Sequence, residues 1–324
     1  MDANALLSVI VPAYNEAEAL PEFHRRITAV FDSLDLRCEV IYINDGSRDA
    51  TQSVINRLCK EDARAACVEL SRNFGKEVAM TAGLDYAQGD AVVIIDADLQ
   101  DPPELIAEFV QRWREGYDVV YARRTSRSGE TWLKKATAAA FYRVIQSVSR
   151  VQIPADTGDF RLMSRRAVDA LLQLREQHRF MKGLFAWVGF PQFAVEYQRD
   201  PRAAGVTKFN YWKLWNFALE GITSFTIAPL KIATYVGLLT AALSFVYGAW
   251  IIYQTLAYGN PVAGYPSLIV VVLFLGGLQL FFIGIIREYV CRIYDETKQR
   301  PLYVVQNFHA SKVRAEVRYL PPAS

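Results

Sequence analysis

The sequence has little of what builds a disulfide framework or a zinc site. Its 324 residues include four cysteines without Cys-x-x-Cys spacing and three histidines that stand apart from one another. This scarcity is typical of a protein in a reducing compartment. The formal net charge of +2 is too small to indicate a nucleic-acid partner. No signal-peptide pattern follows Met1, so the soluble part of the chain is expected in the cytoplasm.

Two glycine-rich phosphate-binding signatures are also missing. No Gly-x-Gly-x-x-Gly follows the first strand-like run, which argues against a dinucleotide cofactor. No Gly-x-x-x-x-Gly-Lys-Ser/Thr is present, which argues against a P-loop nucleotide hydrolase. If the protein binds phosphates, something other than a glycine-rich loop must therefore neutralise their charge.

Charge is absent from one long internal stretch. From Ile232 to Ile286, 55 successive residues contain no Asp, Glu, Lys or Arg. Two apolar runs, at about 232–256 and 266–287, flank a short turn that contains Gly and Pro. Each run is long enough to cross a hydrocarbon core of about 30 Å as a helix, which predicts a transmembrane hairpin within 232–290. A buried helical pair in a soluble protein is the alternative, and a charge-free stretch of this length disfavours it.

Positive charge flanks this stretch on both sides and is missing from its turn. The flanking basic residues are Lys208, Lys213, Lys231, Arg287, Arg292, Lys298 and Arg300. Because positive residues favour the cytoplasmic side of a membrane, both termini are predicted to be cytoplasmic.

The segment 205–231, just before the hairpin, has a different pattern. Its large apolar residues recur at helical spacing, at Phe209, Trp212, Trp215 and Leu219. This spacing predicts a juxtamembrane amphipathic helix on the bilayer surface. An ordinary surface helix with one apolar face is the alternative.

The first 122 residues alternate between strand-like and helix-like runs. Short runs rich in β-branched residues lie at Leu6–Val11, Glu39–Ile43, Ala66–Leu70, Ala91–Ile95 and Val119–Tyr121. Helix-like stretches lie between them, near 18–34, 51–62, 75–87 and 103–115. This alternation predicts an α/β domain with a doubly wound, mostly parallel sheet, which we assign to residues 1–204.

Polar clusters follow three of the predicted strands. They are Pro12–Glu16 after the first strand, Asn44–Ser47 after the second and Asp96–Gln100 after the fourth. Open parallel sheets bind their ligands beyond the carboxyl ends of the strands. The three clusters are therefore expected to share one site.

The third cluster has the residues of a cation site. In an extended backbone alternate residues face one side, which would bring together the oxygens of Asp96, Asp98 and Gln100. Such oxygens suit Mg²⁺ or Mn²⁺. A cation there would stabilise the charge that develops on a departing nucleoside diphosphate. Most isolated Asp-x-Asp motifs are solvated loops or helix caps, and here only the position after a strand, beside two other clusters, favours the metal.

The other two clusters also have purely structural interpretations. The second has the pattern of a turn before a helix that Asp49 or Thr51 would cap, which leaves Asp45 unexplained. In the first, Tyr14 and Glu16 are compatible with an ordinary loop between a strand and a helix.

Several motifs together resemble the family 2 GT-A glycosyltransferases. The motifs are Ser8–Glu16, Asn44–Ser47, Leu70–Lys76, Asp96–Pro103 and Thr157–Arg161. The pattern is most similar to the polyprenyl-phosphate branch, which includes dolichol-phosphate mannose synthase and bacterial undecaprenyl-phosphate glucosyl- and aminoarabinosyl-transferases. The resemblance covers nearly the whole chain. It implies a Rossmann-like GT-A fold and an enzyme of the bacterial inner membrane that transfers a sugar, with inversion, from a nucleotide-sugar to a polyprenyl phosphate.

The resemblance also implies a role for each matching residue. Nucleotide-sugar binding is implied for Pro12, Tyr14, Glu16, Asp45 and Asp96. Binding of Mg²⁺ or Mn²⁺ is implied for Asp96, Asp98 and Gln100, and catalytic roles for Asp98 and Asp159. Contact with the acceptor phosphate is implied for Arg161, Arg199, Arg202 and Lys208. Arg199 and Arg202 lie just before the amphipathic segment and Lys208 lies near its start, where anionic lipid head groups are an alternative partner.

The chain departs from the family pattern at two positions. Asn44 stands where many relatives carry a second Asp, and Val206 stands where relatives often have a polar residue. Because of Asn44, the resemblance does not determine which nucleotide is bound. Val206 would change the contacts of the loop that is expected to bind the acceptor. By analogy with the bacterial members the expected donor is UDP-glucose. GDP-mannose, a UDP-aminoarabinose derivative and a UDP-N-acetylhexosamine are alternatives.

One rival function is another enzyme activity, and a second belongs to a different class. A processive polysaccharide synthase would carry Gln-x-x-Arg-Trp and usually more membrane helices, neither of which the sequence has. A non-catalytic scaffold or a flippase partner would not need the metal-binding motif.

The tail after the hairpin, residues 291–324, is expected to be cytoplasmic. Arg300–Val305 has the pattern of a strand and, with Glu316–Leu320, would make a β-hairpin that adds to a neighbouring subunit. The resemblance implies a homo-oligomer, with a tetramer as the expected state. A frayed tail is the alternative.

Overall fold

The computed structural model describes residues 5–125, 157–197, 228–259 and 264–314. Strands in these residues are β1 Leu6–Ala13, β2 Arg37–Asn44, β3 Ala65–Leu70, β4 Ala91–Ile94, β5 Val119–Arg124, β6 Thr157–Ser164, β7 Gln192–Tyr197 and β8 Val305–His309. Helices are α1 Leu20–Ser33, α2 Thr51–Glu61, α3 Lys76–Tyr86, α4 Ile106–Arg114, α5 Arg165–Leu172, α6 Met181–Trp187, α7 Ala228–Tyr258 and α8 Tyr265–Thr297. Short 3₁₀ turns lie at Pro103–Leu105 and Lys312–Arg314.

The strands form one mixed sheet in the order β7-β5-β6-β4-β1-β2-β3-β8. Strands β1 to β4 are mutually parallel, and β5 is parallel to β7. Strand β6 runs antiparallel between β4 and β5, and β8 runs antiparallel to β3 at the edge. The chain winds outward from β1 in one direction through β2 and β3, then returns to β4 on the other side. This reversal places the topological switch point, where open sheets bind ligands, between β1 and β4.

The predicted α/β domain with a doubly wound, mostly parallel sheet is confirmed. All five predicted strands and all four predicted helices of the first 122 residues are present, with ends that differ by a few residues. The largest differences are at the end of β5, which continues to Arg124 where it pairs with β7, and at the start of α4, which begins at Ile106 after a 3₁₀ turn.

The sheet separates two hydrophobic layers. One face is covered by α1, α2 and α4, which bury Phe23, Ile55 and Phe109 against it. The opposite face is covered by α3, α5 and α6, which bury Met80 and Leu184 among others. Strands that are covered on both faces read as nearly continuous apolar runs, which is why β1, β2 and β4 were recognisable in the sequence. The covered sheet holds the loops at its carboxyl edge in fixed positions.

The strand after the hairpin is displaced from its predicted position. The expectation was Arg300–Val305, but the strand is Val305–His309 and it pairs with β3 of its own sheet. The reason is packing, because the ring of Phe308 lies against that of Tyr86 in a tilted arrangement with centroids 4.7 Å apart. The proposed partner strand, Glu316–Leu320, lies outside the described residues.

Helices α7 and α8 are long and apolar enough to cross a membrane. Their apolar segments are Leu230–Tyr258, with mean hydropathy 1.7, and Val270–Thr297, with mean hydropathy 2.2. None of the most apolar part of either segment is buried within the protein. Among the described residues, the two helices are therefore not buried against the rest of the chain. Of the predicted amphipathic segment, residues 205–227 lie outside the described residues.

The charged end of α8 contacts the α/β domain. Glu296 accepts a hydrogen bond from the backbone N–H of Gln177 at 2.7 Å. The imidazole of His178 lies 3.0 Å from the carboxylate of Asp295. Gln177 also donates to the carbonyl of Arg300 at 2.5 Å. These contacts join α8 to the loop that leads into α6.

Candidate active site

The site lies at the carboxyl ends of β1, β2 and β4, where the amino end of the antiparallel strand β6 joins them. The register pairs Ile94 of β4 with Arg161 of β6. Because the two strands run in opposite directions, Asp96 and Asp159, each two residues beyond that pair, come to the same end of the sheet. Residues that are 63 positions apart in the sequence are thereby brought together.

A lysine connects these two carboxylates. The ammonium of Lys76 lies 2.7 Å from a carboxylate oxygen of Asp96 and 2.6 Å from one of Asp159. Lys76 is the first residue of α3, and its side chain is 44% exposed. Lys76 belongs to one of the motifs that resemble the family, but the resemblance implied no role for it. Only the fold shows that it reaches both acids.

The charged groups in this cluster change one another's pKa values. Burial alone would raise the pKa of Asp159, but the ammonium groups of Lys76 and Lys182 lower it below its usual range. The desolvation of Lys76 would lower its pKa, and Asp96 and Asp159 outweigh that effect and raise it. For Asp96, burial has the largest effect and raises the pKa, although Lys76 acts in the opposite direction. At neutral pH the ammonium and the Asp159 carboxylate are therefore both charged.

The segment that carries the Asp-x-Asp motif is a turn and not the extended backbone that was expected. Leu99 has a left-handed φ of 57°, and the backbone N–H of Gln100 donates to Asp98 at 3.2 Å. The reason is packing, because Ala97 and Leu99 are buried. The turn redirects the chain toward α4. The expected alternation of Asp96, Asp98 and Gln100 along a strand was therefore wrong, while their role as metal ligands stays a prediction.

The residues present fit a hard divalent cation that completes its coordination from a substrate. Among the described residues, no three Asp, Glu, His or Cys side chains are grouped closely enough to form a metal cage. Asp96 and Asp98 nevertheless supply two neighbouring carboxylates, and one oxygen of Asp159 is buried without a hydrogen-bond partner. Mg²⁺ is usually bound by one or two carboxylates plus phosphate oxygens and water, which this set allows.

Asp45 anchors the loop that leads to Lys76. Its two carboxylate oxygens accept hydrogen bonds from the backbone N–H of Phe74 at 2.7 Å and of Gly75 at 3.0 Å. Burial raises the pKa of Asp45, and these two hydrogen bonds act against that rise. The neighbouring Gly46 has φ +61°, and an added Cβ would lie 2.4 Å from the backbone carbon of Arg72. No structural role for Asp45 was evident from the sequence, and the fold supplies one.

The first two clusters are joined by hydrogen bonds. The backbone N–H of Asn15 donates to Ser47 at 3.0 Å, and that of Glu16 donates to Thr51 at 2.9 Å. Asn44 accepts from the N–H of Ser47 at 3.0 Å. These bonds fix the walls of the site. The half-buried side chains of Pro12, Tyr14 and Glu16 lie on the same wall, and their contact with a nucleotide stays a prediction.

Arg161 lies beneath the site and is buried. Its guanidinium packs over the ring of Phe185 at 3.7 Å from the centroid and donates to the carbonyl of Gly158 at 2.9 Å. Burial lowers the pKa of Arg161 to about 10, although Asp159 acts in the opposite direction. Contact between Arg161 and an acceptor phosphate stays a prediction. The other residues assigned to the acceptor phosphate, Arg199, Arg202 and Lys208, lie outside the described residues.

Two further ionisable residues of the site were missed by the sequence analysis. Glu77, next to Lys76 in α3, accepts a hydrogen bond from the N–H of Met181 at 2.9 Å. Burial and the nearby Asp159 raise the pKa of Glu77 to about 7. Lys182 lies at the start of α6, and burial lowers its pKa. No local pattern signals these residues, because they meet only when α3 packs beside α6.

Comparison with known proteins agrees with this architecture. The family model described as glycosyl transferase family 2 matches residues 8–172, and the model described as the GtrB C-terminal hairpin matches residues 228–293. An uncharacterized glycosyltransferase from Synechocystis is 53% identical over 93% of this chain and 95% of the relative. The bactoprenol glucosyl transferase of Shigella phage SfV is 50% identical over 93% of this chain and 98% of the relative.

One more relative and one solved structure were also compared with this chain. The prophage bactoprenol glucosyl transferase homolog of Escherichia coli K12 is 49% identical over 93% of this chain and 98% of the relative. Among solved structures, mannosyl-3-phosphoglycerate synthase from Rubrobacter xylanophilus gives a TM-score of 0.46 at 19% identity, over 67% of this chain and 71% of that chain. The matches to the two family models and the curated relatives span the α/β domain and the helical hairpin alike. The chain therefore belongs to glycosyl transferase family 2 and carries the GtrB C-terminal hairpin.

Proposed function

We propose that this glycosyltransferase transfers glucose from UDP-glucose to a polyprenyl phosphate, with inversion, at the cytoplasmic face of the membrane. The observation that carries the proposal is the 50% identity to a bactoprenol glucosyl transferase over 93% of the chain. The relative is itself covered over 98% of its length, so the similarity includes both the site and the helical hairpin. Both substrates carry phosphate, and the charged cluster around Lys76 suits such ligands.

The donor would lie on the wall formed by the first two clusters. Pro12, Tyr14, Glu16 and Asp45 would contact the nucleoside, and Asp96 would lie by the diphosphate. The wall is rigid, because hydrogen bonds join the loops after β1 and β2. A rigid wall lowers the entropic cost of holding the donor in one orientation.

A divalent metal would be held by Asp96, Asp98 and Gln100. When bound, Mg²⁺ or Mn²⁺ supplies Lewis-acid stabilisation of the leaving diphosphate. The two carboxylates provide hard oxygen ligands, and the turn at Leu99 keeps them at the carboxyl end of β4.

The acceptor would attack the anomeric carbon through a phosphate oxygen. A phosphate monoester is ionised at neutral pH, so the attack does not require a strong base. Asp159 is poorly suited to take a proton, because Lys76 lowers its pKa. We propose that Asp159 orients the acceptor, while Arg161, Arg199, Arg202 and Lys208 neutralise the lipid phosphate. Asp159→Asn should therefore lower turnover mainly through orientation, and unchanged kcat and KM would remove Asp159 from the mechanism.

We further propose that α7 and α8 cross the membrane with both termini in the cytoplasm. The flanking positive charges and the exposed apolar surfaces of the two helices support this topology. The site would then face the membrane surface on which a lipid phosphate lies. Single cysteines introduced at Gly259 and Arg300 test the topology. A membrane-impermeant thiol reagent applied to intact cells should label only the first, and labelling of the second alone would reverse the topology.

A homo-oligomer, with a tetramer as the expected state, also belongs to the proposal. Strand β8 pairs within its own sheet, so a subunit contact would use the other edge of β8 or residues outside the described part. Light scattering in detergent with the mass of bound detergent subtracted would measure the assembly. A monomer under all conditions would exclude it.

The test of the sugar is a donor panel. The purified full-length protein would be incubated with undecaprenyl phosphate and with UDP-glucose, GDP-mannose, a UDP-aminoarabinose derivative or a UDP-N-acetylhexosamine, with and without Mn²⁺. Mass spectrometry of the lipid fraction should show a hexose-linked product from UDP-glucose only. A product from another donor would replace glucose in the proposal and leave the reaction class intact.

A further inference from the structure

We propose that Lys76 is a built-in counter-cation that competes with a divalent metal for Asp96, so that the metal binds tightly only together with the donor diphosphate. This inference rests on the proposed metal-dependent transfer. In this proposal, the ammonium of Lys76 lies among the carboxylates of Asp96, Asp98 and Asp159, here called the acidic centre, whenever the donor is absent.

The ammonium of Lys76 contacts the carboxylate of Asp96 that a metal would need as a ligand. Lys76 contacts both oxygens of Asp96, at 2.7 Å and 2.8 Å. It also donates to Asp159 at 2.6 Å. A metal that binds Asp96 must therefore displace at least one of these contacts. An ammonium this close to a carboxylate opposes the binding of a second cation, and exposure to solvent reduces that effect.

Hydrogen bonds to the backbone just before Lys76 hold this residue in position. The two backbone N–H groups of Phe74 and Gly75, just before it, are bound by the carboxylate of Asp45. The loop after β3 packs so closely against the loop after β2 that Gly46 has no space for a side chain. An added Cβ would lie 2.4 Å from the backbone of Arg72. The ammonium is thus the end of an anchored segment and not a surface side chain that meets an acid by chance.

The acidic centre is too sparse to hold a metal strongly by itself. Among the described residues, no third Asp, Glu, His or Cys completes a metal cage with Asp96 and Asp98. The remaining ligands must come from water or from phosphate oxygens, which the donor diphosphate supplies. Arrival of the donor adds negative charge that both the metal and the ammonium can bind. Competition for Asp96 is therefore strongest in the empty site and weakest in the loaded one.

The test measures Mn²⁺ binding to the full-length protein in detergent by calorimetry, with and without UDP. Lys76→Met removes the competing charge, and Lys76→Arg retains it. We expect Lys76→Met to tighten Mn²⁺ binding without UDP by about tenfold or more. Lys76→Arg should stay within about threefold of the wild type. With UDP present the gain from Lys76→Met should shrink, because the diphosphate supplies ligands in either protein.

A control variant removes the same charge elsewhere. Lys60→Met, on the exposed side of α2, should leave Mn²⁺ binding unchanged. Unchanged or weaker binding by Lys76→Met without UDP, or equal tightening by Lys60→Met, would overturn the role of Lys76. Lys76→Gln repeats the measurement if the methionine variant unfolds.

Failure of the proposed function would look different. If the wild type binds no Mn²⁺ even with UDP, or if Asp98→Ala binds it equally well, the metal site itself is wrong. If the wild type binds Mn²⁺ with UDP and Asp98→Ala does not, the metal site is supported. The lysine variants then test only whether Lys76 competes with the metal.

Discussion

At the scale of single residues, the site depends on a balance of charges around Lys76. Asp96 and Asp159 lie on one side of the ammonium, and Glu77 and Lys182 extend the cluster toward α6. The balance fixes which groups are ionised at neutral pH. It also separates the roles of the two aspartates of the Asp-x-Asp motif, because Asp96 pairs with the lysine while Asp98 accepts from the backbone of Gln100.

Removal of Asp98 tests the proposed metal site. Asp98→Ala should lower kcat/KM about a hundredfold to a thousandfold, which is typical for loss of a group that stabilises charge in the transition state. Steady-state rates over a range of Mn²⁺ concentrations would measure the loss. Asp169→Ala, on the exposed face of α5, is the matched control and should keep wild-type rates. Full activity of Asp98→Ala, or of the wild type in EDTA, would refute the metal assignment.

Glu77 should make the stability of the protein depend on pH. Folding raises its pKa to about 7 from an ordinary value of 4.5, so the folded state favours the neutral carboxyl. The stabilisation is complete below about pH 4.5 and is lost as the pH rises through about 7. Between pH 5 and pH 8 the wild type should lose about 1–3 kcal/mol of unfolding free energy relative to Glu77→Gln. Unfolding curves in detergent would measure the difference.

The control for this effect is Glu61→Gln, at the exposed end of α2, which should follow the wild type at every pH. Parallel pH curves for the wild type and Glu77→Gln would show that the raised pKa of Glu77 does not contribute to stability.

At the scale of elements, the anchored loop after β3 is the part that the sequence described least well. Asp45 and Gly46 belong to the loop after β2, yet they determine where Lys76 lies at the start of α3. Hydrogen-bond partners 29 and 30 positions apart leave no local pattern. The neighbouring strands and helices were predictable, because their apolar periodicity is local.

Alanine substitutions at two glycines with positive φ distinguish the cost of backbone strain from the cost of a steric clash. Gly46→Ala adds a Cβ that meets backbone atoms at 2.4 Å, whereas Gly116→Ala adds one that meets nothing within 4 Å. Gly116→Ala should cost about 1 kcal/mol from backbone strain alone. Gly46→Ala should cost about 3 kcal/mol or more and also weaken UDP binding, because the loop must move. Thermal unfolding and calorimetry would measure both effects, and equal costs would contradict the close packing at Gly46.

The end of α8 should stabilise the loop before α6. Asp295 and Glu296 contact His178 and Gln177, and α6 carries Lys182. The double substitution Asp295→Ala/Glu296→Ala should therefore increase amide hydrogen exchange across residues 174–182 several-fold. Glu288→Ala, whose partner Arg292 lies on the same helix, should not change exchange in that loop. Equal exchange in all three proteins would show that α8 does not restrain α6.

At the scale of the whole molecule, the sequence predicted the broad architecture and the class of reaction more securely than the arrangement of the site. The doubly wound sheet and the two long apolar helices follow from hydrophobic periodicity, which is a property of consecutive residues. The turn at Leu99 and the pairing of β8 with β3 depend on tertiary packing, so the expectation of an extended metal motif and the position of the last strand were both wrong.

One molecule thus combines a family 2 glycosyltransferase α/β domain with a helical hairpin that is long and apolar enough to span a membrane. The charged end of α8 connects the two parts directly, through the loop that precedes α6. A soluble nucleotide-sugar and a lipid phosphate would meet where these parts join. This arrangement explains why the relatives match along nearly the whole chain and not only in the α/β domain.

The most direct measurement is transfer of labelled glucose from UDP-glucose to undecaprenyl phosphate by the purified full-length protein in detergent with Mn²⁺. We expect a lipid-soluble, glucose-labelled product whose formation requires the protein, the lipid phosphate and an intact Asp98. If UDP-glucose and Mn²⁺ bind but no sugar reaches the lipid, the proposed glucose transfer to a polyprenyl phosphate is wrong.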